Sequence, residues 1–286
     1  MLFLFPFLAA ILQASSFTLD KIVLSVRRVD FKVYTGISFP LIFLITLVIF
    51  FIFRPPLSLE LLAGNLWQLL LLSIFITIIT NLLFYRALDF DKLGEIQILE
   101  LLHFLPVIVF SSIIFIDERN LFIAGPALLA SLAVIWSHWE QGKVKIAKYT
   151  LPFLIWMLCS APIRAAASKM LLEEWHPISL ELVRTGMIAL VLGLFFAKHI
   201  AFSRISAKAF YLLLATNILT SVAWILFFFG YKYLGIVHTT LIFLLQPLLV
   251  YLASAFLLKE GLSRKKNIAF VVVLFSIAAV QFMHYS

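Results

Sequence analysis

Charge is what this sequence has least of: Asp, Glu, Lys and Arg make up 13% of its 286 residues, against 64% hydrophobic residues and a mean hydropathy of +1.11. Soluble domains carry roughly 25% charged residues, because a water-facing shell must cover the core. A water-soluble fold is therefore excluded, and lipid is the main solvent. Cysteine is nearly absent as well. Cys159 stands alone inside an apolar stretch, which excludes an intramolecular disulfide and argues against a thiolate metal site. Also missing is the period-two alternation of a membrane β-barrel: runs such as Leu41 to Phe53 and Phe270 to Val280 are apolar on every side. The N-terminus lacks a basic region before its apolar run and a small-residue cleavage pattern after it. It reads as a first span, not a signal peptide.

What is present is a series of apolar segments. A helix crossing about 30 Å of hydrocarbon needs roughly 20 apolar residues, because every backbone N–H and C=O must be paired without water. Segments bounded by charge, Pro and Gly fall at 2–26, 31–53, 64–86, 95–116, 120–137, 150–171, 178–197, 208–231, 236–258 and 267–284. Ten transmembrane helices are expected, with turns between them and no room for a soluble catalytic domain. The longest connection, 138–149, holds Gly142, Lys143, Lys145 and Lys148 near mid-sequence. It reads as a linker between a first half, 1–137, and a second, 150–286.

The two halves share landmarks. Gly94 and Pro106 in the fourth span correspond to Gly235 and Pro247 in the ninth at a shift of 141, each pair followed by a charged turn, Asp117-Glu118-Arg119 or Lys259-Glu260-Gly261. Val33-Tyr34-Thr35-Gly36 in the second span corresponds to Val183-Arg184-Thr185-Gly186 in the seventh at a shift of 150. Five spans per half is an odd number, so the second half starts on the opposite side from the first. The expected fold is all-α and integral to the membrane, two inverted five-helix repeats around a central cavity, as secondary transporters have. Odd-numbered connections hold fifteen Lys and Arg residues, among them Arg27, Arg28, Lys92 and Arg204, whereas even-numbered ones hold Arg54, Arg119 and Lys232. The positive-inside rule then puts the odd connections in the cytoplasm and both termini outside, in a multi-pass protein of the bacterial inner membrane. The same anchoring accounts for the net charge of +8 and pI near 9.6 without nucleic acid as a partner.

At these residues the chain resembles the EamA-type members of the drug/metabolite transporter superfamily. The resemblance rests on Tyr85-Arg86-Ala87-Leu88, Gly94, Pro106, Glu118 and Gly125 in the first half, and on Tyr231, Gly235, Pro247, Glu260 and the apolar tenth span in the second. Two departures stand out. Gln13-Ala14-Ser15-Ser16 replaces the family's first-span Trp-Gly, and Asn267 and Ala269 stand where the tenth span customarily has glycine. The resemblance implies ten helices around a central cavity and movement of metabolites without ATP; no cofactor is expected.

Ionisable groups inside apolar spans are costly, and each is a lead to function. Arg164 lies mid-span, two residues after Pro162. Its planar guanidinium suits a substrate carboxylate; the alternative is a structural ion pair with Glu100. Gln97, Glu100 and His103 share a face at i, i+3 and i+6. They offer either a proton relay and substrate contacts or interhelical hydrogen bonds. Glu100-Leu-Leu-His103 also fits half of a di-iron motif, but no second copy exists and no metal is expected. Lys169, Glu181 and Arg184 are expected to meet at the outer surface. Asn217, Ser221 and Trp224 share a face suited to an amphipathic solute or to plain packing. His238 and Gln246 offer further donors, with His238 read as a packing histidine first. Pro106, Pro162 and Pro247 kink their spans, as hinges or as static packing.

A membrane enzyme would need a constellation such as His-Glu-x-x-His or Gly-x-Ser-x-Gly, and neither occurs. Three readings remain in order: a secondary transporter of small metabolites such as amino acids or amphipathic solutes, with protons as a candidate coupling ion; a lipid or lipid-linked-sugar flippase; and an enzyme.

Overall fold

The computed structural model describes residues 2–26, 29–57, 66–119, 121–140, 143–144, 146–200, 205–260 and 264–285. Arg27, Arg28, Gly142, Lys145, Arg204 and Gly261 lie outside the described residues. Among the described residues the secondary structure is helical apart from one short hairpin, with α1 at Leu4–Leu24, α2 Phe31–Phe53, α3 Leu66–Phe90, α4 Leu93–Glu100, α5 Phe104–Ile114 and α6 Leu121–Ser137. Two-residue strands β1 (Trp139–Glu140) and β2 (Lys143–Val144) then pair antiparallel within the linker. The rest is α7 Thr150–Glu174, α8 Pro177–Phe196, α9 Ala207–Phe243, α10 Leu245–Leu257 and α11 Arg264–Tyr285. Among the described residues, seven stretches are long and apolar enough to cross a membrane, counting α4 with α5 and α9 with α10 as single stretches.

The expected fourth span is broken. A 3₁₀ turn, Leu101–His103, separates α4 from α5, and Pro106 is the third residue of α5. The expected boundary between the eighth and ninth spans appears as a kink at Gly235 inside α9, with φ 81° and ψ 175°. A second break at Leu244 leaves Pro247 as the third residue of α10. In the first turn of a helix the N–H groups lack intrahelical acceptors, so a proline there removes nothing. Pro162 differs: α7 runs on through it, as α2 does through Pro40 and α6 through Pro126.

Several starts are capped by side chains. Asp30 accepts from the Val33 N–H at 2.9 Å and Ser206 from that of Ala209 at 3.2 Å. Large apolar side chains such as Phe53 and Phe195 remain exposed, at 68% and 72%, which is tolerable only against lipid. The helices pack chiefly as α1 with α9, α2 with α8, α3 with α7, α6 with α11 and α4 with α10. At the α2–α8 crossing, a Cβ on Gly36 would stand 3.0 Å from the Phe196 Cβ, and one on Gly186 would stand 3.0 Å from the Phe43 ring.

Helix ends fall into two sets. At one end Lys21 donates to the carbonyls of Leu88 and Asp91 at 2.6 and 2.8 Å, Thr150 donates to Asp91 at 2.7 Å, and Lys265 donates to the Trp139 carbonyl at 3.0 Å. At the other, Ser179 donates to the Pro56 carbonyl at 2.8 Å, Lys232 to that of Trp175 at 3.0 Å, and Lys169 pairs with Asp117 and Glu118 at 2.7 and 2.8 Å. A carboxylate fixes a broken helix at each end. Glu118 accepts from the N–H groups of Ile236 and Val237 at 2.7 and 2.9 Å, and Glu260 from those of Leu93 and Gly94 at 3.0 and 2.9 Å.

Candidate functional site

The breaks in α4–α5 and α9–α10 turn polar side chains into a cavity of about 90 Å³ among α1, α3, α4, α5, α7, α8, α9 and α10. Its apolar wall is aromatic: Phe17, Phe84, Phe104, Phe153, Trp224, Phe227, Phe228, Tyr231 and Phe243 all face it. Phe17 and Phe84 close one side, ring centroids 4.7 Å apart, with Phe153 tilted against Phe84 at 5.4 Å. Tyr231, Phe227 and Phe243 cluster opposite, with Phe227 at 4.5 and 4.6 Å from the other two.

Besides Tyr231, four acidic or basic side chains face this space: Glu100, His103, Arg164 and Arg184. Arg184 is already engaged. Its Nη2 lies 2.7 Å from Glu181 Oε2 and its guanidinium stacks over Phe228 and Trp224, at 4.7 and 5.2 Å. Glu100 accepts from Gln97 Nε2 at 2.7 Å, and Gln97 in turn accepts from Gln246 Nε2 at 2.6 Å, a chain tying α10 to α4. His103 Nδ1 donates to the Glu100 carbonyl at 2.5 Å, which assigns the proton to Nδ1 and leaves Nε2 for another partner. Arg164 is the exception. Its guanidinium makes no hydrogen bond or ion pair with a described residue and lies 5.6 Å from the Trp224 ring.

Of the residues singled out in the sequence, Arg164, Glu100, His103, Trp224 and Gln246 therefore converge on one cavity, with Gln97 supporting Glu100 from behind. Asn217 and Ser221 do not line it: both are buried, and Ser221 donates to the Asn217 carbonyl at 2.8 Å. His238 is half-buried and also outside the lining. Two expectations need correction. Glu181 and Arg184 are not at the surface, being 1% and 4% exposed within the bundle, and Lys169 joins Asp117 and Glu118 instead. That contact holds the Asp117 carboxyl below its ordinary value, through the hydrogen bond from Lys169. Glu100 and Arg164 share the cavity but form no ion pair.

Sequence reading missed Gln13, Thr80 and Asn81, which also line the cavity. Their signal was spacing: Gln13 with Phe17 and Thr80 with Phe84, each at i, i+4 on one helix face. It also missed Asp20, wholly buried one further turn along α1.

Long apolar helices around a polar interior define an integral, multi-pass membrane protein. Residues 149–282 match the EamA-like transporter family, which supports a membrane transporter of the drug/metabolite transporter superfamily. Twenty-nine chains of solved structures match. One crystal structure superposes with a TM-score of 0.73 at 15% identity, over 98% of this chain and 96% of that one. At that identity the likeness concerns the fold alone. No curated protein matches the chain.

Proposed function

We propose that this protein is a secondary exporter of small amphipathic solutes carrying a carboxylate, such as amino acids with large apolar side chains, working by alternating access. The observation that carries this reading is Arg164, a guanidinium facing the cavity with no hydrogen-bond acceptor among the described residues. A cation left so among apolar helices calls for an anionic ligand. Glu100 across the same cavity suits an ammonium group, and the aromatic wall suits an apolar side chain. Ten spans in two inverted halves are part of the proposal. It is supported by the packing partners: exchanging α1, α2, α3 and α6 with α7, α8, α9 and α11 turns each packed pair among them into itself or into another packed pair. Thus α1 with α9 becomes α7 with α3, and α2 with α8 and α6 with α11 map onto themselves.

The test is ligand-induced thermal stabilisation of purified protein against a panel of amino acids and other carboxylates, followed by transport in proteoliposomes. Charge-assisted hydrogen bonds contribute about 1.5–3 kcal/mol each, so Arg164→Ala should weaken binding roughly ten- to hundredfold. Arg164→Lys should weaken it nearly as much, since the planar fork is lost. Wild-type affinity and rate in a folded Arg164→Ala protein would make the arginine structural and sink the reading.

A further inference from the structure

Asp20 is 0% exposed, on α1, beyond the Phe17–Phe84 closure of the cavity. Its Oδ1 accepts from Tyr34 of α2 at 2.5 Å and from Thr216 of α9, and its Oδ2 lies 3.5 Å from the Tyr85 hydroxyl of α3. Every direct partner is neutral. The neighbouring Lys21 is turned away to the Leu88 and Asp91 carbonyls, and Arg86 of α3 lies over the Tyr149 ring at 5.4 Å. Asp89 of α3 accepts from the Phe31 N–H at 3.2 Å. Where α10 and α1 line a groove together, α10 contributes Leu249, Ala253 and Leu257, none of them ionisable. Among the described residues an ionised carboxylate here has no countercharge, so it needs a cation to offset its burial.

The spacing selects which cation. Hydroxyl oxygens sit at hydrogen-bond distance from Oδ1, leaving no gap for a metal ion between them, whereas a proton needs none. The hydroxyls also form a chain. Thr216 meets Ser16 at 2.7 Å, and Ser16 meets Thr220 at 2.6 Å. With Asp20 ionised, one ordering satisfies every short contact: Thr220 donates to Ser16, Ser16 to Thr216, and Thr216 and Tyr34 to Asp20. With Asp20 protonated, its O–H donates to Thr216, whose own proton turns to the Ser16 carbonyl 3.0 Å away. Both states keep their partners, which is what a reversible proton site requires. Ser16 and Thr220 stand one turn from Gln13 and Trp224, which line the cavity.

We propose that Asp20, in its cage of Tyr34, Tyr85 and Thr216, is a proton-binding site, and that its protonation is coupled to opening of the cavity at the Phe17–Phe84 end. Hydrogen bonds to a charged acceptor are roughly twice as strong as neutral ones. Proton uptake therefore loosens the ties of α1 to α2 and α9, and proton release restores them. The coupling to transport rests on the transporter reading above; the proton site itself does not.

The experiments separate the two. Infrared difference spectra of the full chain in lipid nanodiscs, recorded over a pH series without solute, should show a carboxylic C=O band in the wild type. That band should be missing from Asp20→Asn. Tyr34→Phe and Thr216→Val, each one hydroxyl short, should move the pH at which it appears, and they serve if Asp20→Asn does not fold. An unchanged band in Asp20→Asn, or an unmoved one in both hydroxyl variants, overturns the site. In proteoliposomes holding a solute that the wild type carries, Asp20→Asn should keep solute exchange at equal pH and lose acceleration by a pH gradient. Retained acceleration overturns the coupling. Failure of the wild type to bind or carry any panel solute would count against the transporter reading and leave the infrared result standing.

Discussion

Glu118 and Glu260 each clamp the first free N–H groups of a helix that begins 118 and 167 residues away in the chain. A carboxylate there meets both the orphan donors and the positive end of the helix dipole. The sequence marks both as charged-turn residues, but nothing local in either turn says how far it reaches, because the partner is a backbone in the other half. Gly235 belongs to the same device: its φ of 81° disfavours a side chain, and a Cβ there would collide with the Glu118 carboxylate. Glu118→Gln keeps the shape but loses the charge and one of the two acceptors, leaving a backbone N–H facing an amide NH₂, which should cost about 1–3 kcal/mol, the penalty for a buried donor left unpaired. Gly235→Ala should cost more, since it adds backbone strain of about 1–3 kcal/mol to the collision. Gly125 is the contrast, with open space where a Cβ would go inside α6, so Gly125→Ala should hold or raise the melting temperature. Scanning fluorimetry of the three variants in one detergent checks the order. Equal melting temperatures for Gly235→Ala and Gly125→Ala would remove the clamp from the account.

At the scale of elements, hydropathy locates the apolar segments well, because lipid demands length and apolarity from every span. It locates their internal breaks poorly. The 3₁₀ turn at Leu101–His103 and the break at Leu244 lie inside apolar runs, and only Pro106 and Pro247 hint at them. The placement of α8 illustrates the other limit. Glu181 and Arg184 stand near a span boundary in sequence and so read as surface residues, yet α8 begins at Pro177 and carries them a full turn into the bundle. The i, i+3 spacing was the available clue. Such a pair is stable only as a pair. Glu181→Ala would leave Arg184 uncompensated and should cost about 3–5 kcal/mol, while removing both charges should cost much less. A double-mutant cycle with Arg184→Leu measures this, and additive losses would mean that the two charges do not compensate one another.

For the molecule as a whole, the contacts between helix ends carry an orientation argument that hydropathy alone does not. Lys21, Asp91, Thr150 and Lys265 meet their partners at one end, and Pro56, Ser179, Lys169, Glu118 and Lys232 at the other. The first end gathers the connections rich in Lys and Arg, including Lys92, Lys148, Lys198, Lys208 and Lys259. The connections at the second hold Arg54, Arg119 and Lys232. Basic loops resist translocation, so the end bearing Lys148 should be cytoplasmic and the end bearing Asp117 should face outward. The single native cysteine makes this simple to read. With Cys159 replaced by Ser, a cysteine at exposed Asp117 should react with a membrane-impermeant maleimide in intact cells, and one at Lys148 should react only after permeabilisation. The opposite pattern would invert the assignment. Labelling of both positions in intact cells would mean that the chain inserts in two orientations, and a bias of fifteen basic residues against three makes that outcome the hardest to reconcile with the charge distribution.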